Sequence, residues 1–110
     1  MCKFKTTDEE FEKEIFEVVL SLNEADDQSK FGGLLFCAQS LAMRHYTEQR
    51  IANGEKQVDV YPFYLDFCKD LKNEELSLED MLDKYFRKGM KEEHRNKTLE
   101  MITFLRSTRI

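Results

Sequence analysis

Apolar residues recur at helical spacing along most of the chain. The first stripe falls at i, i+4, i+7, i+8 and i+11 and consists of Phe11, Ile15, Val18, Val19 and Leu22. Charged residues lie between these positions and are expected to face water, namely Glu9, Glu12, Lys13, Glu17 and Glu24. The pattern predicts an amphipathic helix with one buried face. Thr7 and Glu10 precede the stripe at the spacing of a capping box, so the helix is expected to begin there.

The longest uncharged stretch, FGGLLFCAQSLAM at residues 31–43, predicts the centre of the fold. One helical face carries the apolar positions 31, 34, 35, 38, 41 and 42, and a second face carries Phe36, Cys37 and Met43. Burial on both faces makes residues 30–52 the predicted central helix. Asp26, Asp27 or Ser29 is its expected N-cap, and Asn53-Gly54 its expected end. The stretch is too short to span a bilayer.

Small residues in the same stretch predict close packing against neighbouring helices. They are Gly32, Gly33, Cys37, Ala38, Ser40 and Ala42. The glycine pair near a helix N-terminus also suggests a phosphate site, but a phosphate loop needs GxxxxGK[ST] after a strand, and that spacing is absent.

Three more helices are predicted in the second half of the chain. Asp59 is the expected N-cap of the third helix, Pro62 fits its first turn, and its buried stripe is Phe63, Tyr64, Phe67, Cys68 and Leu71. Ser77 and Asp80 open a fourth helix, which Gly89 either closes or interrupts only weakly. The last helix is predicted over residues 91–107. The fold class is therefore all-α, a compact four- to five-helix bundle formed by one domain, residues 1–110.

Composition places this bundle in the cytoplasm. Hydrophobic residues make up 41% of the chain and include nine Phe, which is enough to fill a core without disulfides or a structural metal. The cysteines Cys2, Cys37 and Cys68 are odd in number and scattered, and are interpreted as buried thiols in a reducing compartment. The N-terminus lacks an apolar leader region, so a soluble, intracellular protein without a membrane segment is expected.

The net charge is −5, and the charged residues are distributed unevenly along the chain. Residues 1–28 carry nine acids against three bases, and residues 59–83 carry eight acids against two. Residues 84–110 reverse the balance, with eight bases against three acids. The expected surface has two acidic segments and one basic C-terminal segment.

Metal and acid/base sites have little support in the sequence. The two histidines, His45 and His94, lack the spacing of an HExxH site, so no metal or other cofactor is predicted. Adjacent carboxylates lie at predicted helix starts, where the helix dipole accounts for them. Asp66 is a partial exception, because it lies within the aromatic run YPFYLDF. The leading prediction is a protein without enzymatic activity.

Arg87 and His94 suggest an alternative in which the protein is an enzyme. Six residues, KGMKEE, separate them in a chain predicted to be all-helical. This eight-residue segment resembles the Arg-x4-6-His motif of the small helical ribonucleases called HEPN domains. The resemblance implies a ribonuclease in which Arg87 and His94 act on RNA at a dimer interface. Within the motif, Lys88 stands where a smaller polar residue is usual.

The basic C-terminal segment suggests a second alternative, a small nucleic-acid-binding regulator. Its bases are Lys84, Arg87, Lys88, Lys91, Arg95, Lys97, Arg106 and Arg109. Such a group can neutralise several phosphates. The opposing interpretation is a solvated helix face with ion pairs such as Glu93 to Lys97 at i, i+4.

The acidic surface supports the leading prediction, a non-enzymatic protein-binding module. An acidic chain associates rapidly with a basic partner, and small inhibitors of nucleases use this complementarity. The most concrete form is an immunity- or antitoxin-like protein that covers the active site of a toxin or nuclease. The predicted partner-binding residues are Asp59, Tyr61, Tyr64, Asp66, Asp70, Glu74 and Glu75. Phe63 and Phe67 of the same segment are assigned to the core.

Overall fold

Five helices make up the fold of residues 4–108, the part of the chain that the computed structural model describes. They are α1 (Asp8–Ser21), α2 (Asp27–Ala52), α3 (Tyr61–Leu71), α4 (Leu78–Tyr85) and α5 (Glu92–Ser107). Within this range there is no strand. The radius of gyration of 13.9 Å is close to the ~13 Å of a compact chain of this length. The predicted all-α bundle is confirmed.

Capping boxes begin two of the helices as predicted. At α1, the Glu10 N–H donates to Thr7 Oγ1 over 3.1 Å, and Glu10 Oε1 accepts from the Thr7 N–H over 3.0 Å. Ser77 and Asp80 make the same reciprocal bonds at α4, over 3.0 and 3.1 Å. Each pair satisfies two backbone donors that the first helical turn leaves free.

The ends of α2 also follow from its sequence. Of the three candidate caps, Asp26 is the one used, and its Oδ1 accepts from the Ser29 N–H over 2.8 Å. At the other end Gly54 has a φ of 95°, a conformation that favours glycine. The Gly54 and Glu55 N–H groups donate to the carbonyls of Ile51 and Arg50, which is the Schellman arrangement.

One prediction about a helix boundary is corrected, and the question whether α4 and α5 are continuous is answered. The N-cap of α3 is Val60 rather than Asp59, because Asp59 Oδ1 accepts instead from the Tyr61 N–H, over 3.0 Å. Helices α4 and α5 are separate, since α4 ends at Tyr85 and Phe86 is extended, with φ −117° and ψ 156°. The Phe86 side chain is buried in the core, which fixes this break three residues before Gly89.

Helix α2 contacts each of the other four helices, as expected of a central element. Helix α5 does the same, which the sequence did not indicate, because many of its residues are charged. Its buried stripe is narrow and consists of His94, Thr98, Met101, Ile102 and Leu105. Between α3 and α4, the rings of Phe63, Phe67, Tyr85 and Phe86 pack against one another. The assignment of Phe63 and Phe67 to the core is confirmed.

Several residues predicted to be buried are at the surface. Phe36 is 66% exposed and Val18 is 46% exposed. Cys37 is a buried thiol as predicted, whereas Cys68 is exposed, and Cys2 lies outside the described residues. Of the three residues assigned to the second apolar face of α2, Cys37 is buried, Met43 is half-buried and Phe36 is exposed. The second apolar face of α2 is therefore only partly covered.

The two adjacent glycines of α2 differ in their surroundings. A Cβ atom on Gly33 would lie 2.6 Å from Cδ1 of Leu22, so Gly33 permits the close approach of the α1 C-terminus. A Cβ atom on Gly32 would meet nothing within 4 Å. The predicted reason for small residues therefore applies to Gly33 and not to Gly32.

We predict that Gly32→Ala stabilises the fold by about 0.5–1 kcal/mol, because alanine costs less backbone entropy in an exposed helix interior. Gly33→Ala is the matched control and should gain less or lose stability, since Leu22 has to move. Urea unfolding followed by circular dichroism measures both free energies. Equal effects of the two substitutions would contradict the close contact between Gly33 and Leu22.

Candidate functional site

Helix α3 and its flanking loops carry the predicted partner-binding residues, and most of them are at the surface. Tyr61 is 66% exposed and its neighbour Leu65 is 54% exposed. Tyr64 is half-buried, and its hydroxyl lies 3.9 Å from Sδ of Met43 on α2. The exposed residues form a surface that we call the acidic α3 face, defined by Asp59, Tyr61, Leu65, Asp66, Glu74 and Glu75.

The four carboxylates of the acidic α3 face are not neutralised by described residues. No basic side chain within residues 4–108 lies at ion-pair distance from Asp59, Asp66, Glu74 or Glu75. Asp59 is positioned at the start of α3 by its bond to the Tyr61 N–H, and its carbonyl accepts from the Tyr46 hydroxyl over 3.1 Å. These carboxylates are available to an external cation.

Asp70 differs from the other predicted acids, because the structure places it inside the bundle with 7% of its surface exposed. Its Oδ2 accepts from Lys84 Nζ over 2.6 Å and from the Tyr85 hydroxyl over 2.5 Å. These two bonds lower the pKa of Asp70. Burial and the Asp70 carboxylate raise the pKa of Tyr85. Asp70 lies one helical turn after Phe67 and therefore on the core side of α3, where it joins α3 to α4.

A second group of charged residues lies inside the bundle around Glu12, which is 4% exposed. Arg87 binds both carboxylate oxygens, with Nε 2.8 Å from Oε2 and Nη2 2.9 Å from Oε1. His94 Nδ1 lies 3.2 Å from Oε1. The Phe16 ring packs on the His94 ring, with centroids 4.9 Å apart. The arrangement joins α1 to the α4–α5 connection and to the first turn of α5.

Arg44 extends this internal group toward the N-terminus and is 8% exposed. Its Nε donates to Asp8 Oδ1 over 2.9 Å, and its Nη1 donates to Thr6 Oγ1 over 3.0 Å. Burial, together with the neighbouring Asp8 carboxyl, raises the pKa of Glu48 to about 7. Burial opposes ionisation of Asp8 too, but hydrogen bonds from Glu48 and Arg44 lower its pKa overall.

The structure thus brings together Arg87 and His94, the two residues of the ribonuclease-like motif. Their common partner is the Glu12 carboxylate of the same chain. The His94 side chain is 5% exposed and that of Arg87 is 25% exposed. In this arrangement both are bound to Glu12, and the histidine has almost no access to solvent. Sequence reasoning assigned Glu12 to the solvated side of α1. Glu12 precedes Ile15 by three residues and Phe16 by four, so it lies on the same side of the helix as these buried residues. This spacing is the signal from which its burial could have been predicted.

Most bases of the C-terminal segment bind groups of the same chain. Lys97 Nζ lies 3.2 Å from Glu93 Oε1, which confirms the predicted i, i+4 pair. Arg95 pairs with Glu79, and Lys91 Nζ lies 3.7 Å from Glu9 Oε1. Arg106 donates to backbone carbonyls at the end of α3 and beyond, which are Asp70, Leu71, Asn73 and Leu76. Lys88 is exposed, and Arg109 lies outside the described residues.

Residues 4–108 contain no group of three or more His, Cys, Asp or Glu side chains placed to hold a metal ion. None of the helices described in this range combines the length and the apolar character that crossing a membrane requires.

Comparison with known proteins gives no match, whether with a family model, a curated protein or a solved structure.

The raised pKa of Glu48 predicts a pH dependence of stability. Its pKa is about 7 in the folded chain against an ordinary value of 4.5, so folding favours its protonated form between these values. This contribution is complete below about pH 4.5 and is lost as the pH rises through 7. Glu48→Gln cannot titrate, so its stability should decline less than that of the wild type between pH 5 and pH 8.

Urea unfolding of both proteins at pH 5 and pH 8 measures this difference. Burial lowers the pKa of His45, which gives an opposite slope, but His45 is present in both proteins and cancels in the comparison. Glu100→Gln is the control for loss of an exposed carboxylate. Identical slopes for the wild type and Glu48→Gln would contradict the raised pKa of Glu48.

Proposed function

We propose that this protein is a non-enzymatic binding module whose acidic α3 face docks on a basic protein in the cytoplasm. The observation that carries the proposal is the group of four exposed carboxylates without a described ion-pair partner, on α3 and beyond its two ends, together with the exposed side chains of Tyr61 and Leu65 on the same helix. A basic partner supplies the missing counter-charges. The exposed apolar residues supply the contact that loses water on binding.

The distribution of charge supports a role in rapid association. Interfacial charges steer the encounter of two proteins and can raise the association rate constant by about 10- to 1000-fold. Bases elsewhere on the chain do not compensate for the acidic α3 face, because Lys84, Arg87 and Arg95 are each bound to an acid of their own chain. Lys69 and Lys72 on the same segment are exposed and have no acidic partner among the described residues, so the four carboxylates of the face outnumber these two bases.

Tyr61 and Leu65 support a specific contact rather than a purely electrostatic one. Tyrosine is enriched among residues that contribute most to binding energy, because it buries a large rigid surface and keeps a polar hydroxyl. Both side chains project from one rigid helix, so little conformational entropy is lost when they are covered. Phe36 on the neighbouring helix α2 is exposed to the same extent as Tyr61.

In its most specific form, the proposal is an immunity- or antitoxin-like inhibitor that covers the active site of a basic toxin or nuclease. Such active sites are positively charged because they receive phosphates, and a surface with exposed carboxylates and an exposed tyrosine is complementary to them. The two alternatives have weaker support. The bases required by a nucleic-acid regulator, and the Arg87 and His94 side chains required by a ribonuclease, are mostly bound to acids of the chain.

The test is to capture partners from the source cells on the immobilised protein and to measure association with the purified partner. We predict a basic protein whose association rate constant falls with salt. The combined variant Asp59→Asn, Asp66→Asn, Glu74→Gln and Glu75→Gln should lower that rate constant at least tenfold, because it removes the unpaired charges of the face.

The matched control changes the net charge equally at exposed acids elsewhere, namely Glu14→Gln, Glu17→Gln, Glu24→Gln and Glu100→Gln. It should reduce the rate constant only slightly. Equal effects of the two variants would show that net charge, and not the acidic α3 face, governs association. The absence of any salt-sensitive basic partner would reject the proposed function.

A further inference from the structure

A pocket of about 280 Å³ lies beside the acidic α3 face, between α2, α3 and α4. Its volume is several times the ~30 Å³ that a water molecule occupies in the liquid, so it accommodates a side chain. Six of its lining residues define its chemistry. They are the aromatic residues Tyr46, Phe63 and Tyr85 and the charged residues Arg50, Asp66 and Lys84.

Two bases and one acid line the pocket, and only the acid lacks a described ion-pair partner. Arg50 Nε is 2.6 Å from Oε2 of Glu55, and Lys84 Nζ is 2.6 Å from Oδ2 of Asp70, so each resident cation is neutralised by its own carboxylate. Asp66 has no described ion-pair partner. One uncompensated negative charge therefore remains at the pocket.

The aromatic lining already holds cationic groups. The Arg50 guanidinium lies 5.4 Å from the centre of the Tyr46 ring, and Lys84 Nζ lies 5.4 Å from the centre of the Tyr85 ring. Aromatic faces attract cations through their quadrupole. The side chains of Arg50 and Lys84 are 45% and 52% exposed. The lining is therefore compatible with a cationic group at the solvent-facing side of the pocket.

We propose that this pocket receives an arginine side chain of the basic partner, with Asp66 as the carboxylate that binds its guanidinium. Arginine fits better than lysine, because its planar group both stacks on aromatic rings and binds a carboxylate through two N–H groups. The inference rests on the proposed function, since it assigns one residue of the partner to a defined place beside the acidic α3 face.

The test is an NMR titration of the ¹⁵N-labelled full chain with N-acetyl-arginine amide, which imitates an arginine residue in a protein. The expected result is a saturable shift of the backbone amides of Tyr46, Phe63, Asp66 and Tyr85. N-acetyl-citrulline amide has the same shape without charge and should bind at least tenfold more weakly. N-acetyl-aspartate amide should produce no saturable shift at these amides.

Asp66→Asn should weaken binding of the arginine amide at least tenfold, whereas the control Asp83→Asn, at an exposed carboxylate of α4, should leave it unchanged. Both substitutions are at the surface, so the fold persists and the amide spectrum verifies it. Equal binding of arginine and citrulline amides, unchanged binding by Asp66→Asn, or shifts confined to other residues would overturn the inference. Tighter binding of free L-arginine than of its blocked amide would also overturn the inference, because the pocket would then bind a free amino acid and not an arginine side chain of a protein.

The two proposals fail in different ways. If a basic partner binds the acidic α3 face but tolerates Asp66→Asn alone, the pocket inference is wrong and the proposed function stands. If no salt-sensitive basic partner exists, the proposed function is wrong whatever the arginine amide does.

Discussion

The carboxylate of Glu12 joins α1 to the α4–α5 connection and to the start of α5, which follow 75 and 82 residues later in the sequence. An unpaired charge in a protein interior costs several kcal/mol, so a buried glutamate is tolerated only where strong donors meet it. Arg87 supplies two charge-assisted hydrogen bonds and His94 approaches one of the same oxygens. These bonds fix the position of helix α1, and its rotation about its own axis, relative to the α4–α5 connection and the start of α5. The Arg44 contacts with Asp8 and Thr6 extend this attachment toward the N-terminus.

This internal pairing determines which charges remain for a partner. The chain is basic in its last quarter, yet Arg87, Arg95 and Lys97 are bound to acids, and Arg106 binds carbonyls at the end of α3. The carboxylates at the ends and on one side of α3 have no such partners among the described residues. Four carboxylates without an ion-pair partner therefore lie on α3 and at its ends, beside the two exposed bases Lys69 and Lys72. Our account of function depends on this contrast between bases bound internally and acids left exposed.

Local patterns predicted the helices well, because capping boxes and apolar periodicity are properties of a few neighbouring residues. Thr7 with Glu10 and Ser77 with Asp80 are such cases. Tertiary contacts were harder to predict, because they depend on which elements pack together. Phe36 has the same local signature as a buried residue, but it is 66% exposed in the folded chain. Asp70 was expected at the surface among other acids, and only the position of α4 shows that Lys84 and Tyr85 bind it. The spacing of Arg87 and His94 suggested a catalytic pair, whereas the structure provides Glu12 as their common partner.

A double-mutant cycle between Glu12 and Arg87 tests the central claim most directly. The free energy of unfolding of the wild type, Glu12→Gln, Arg87→Gln and the double variant is measured by urea denaturation at pH 7. Our account predicts a coupling energy above ~1 kcal/mol, with the double variant no less stable than Arg87→Gln, since the uncompensated buried carboxylate is then absent. Additive effects of the two substitutions would contradict the account, because Glu12 and Arg87 would then contribute independently.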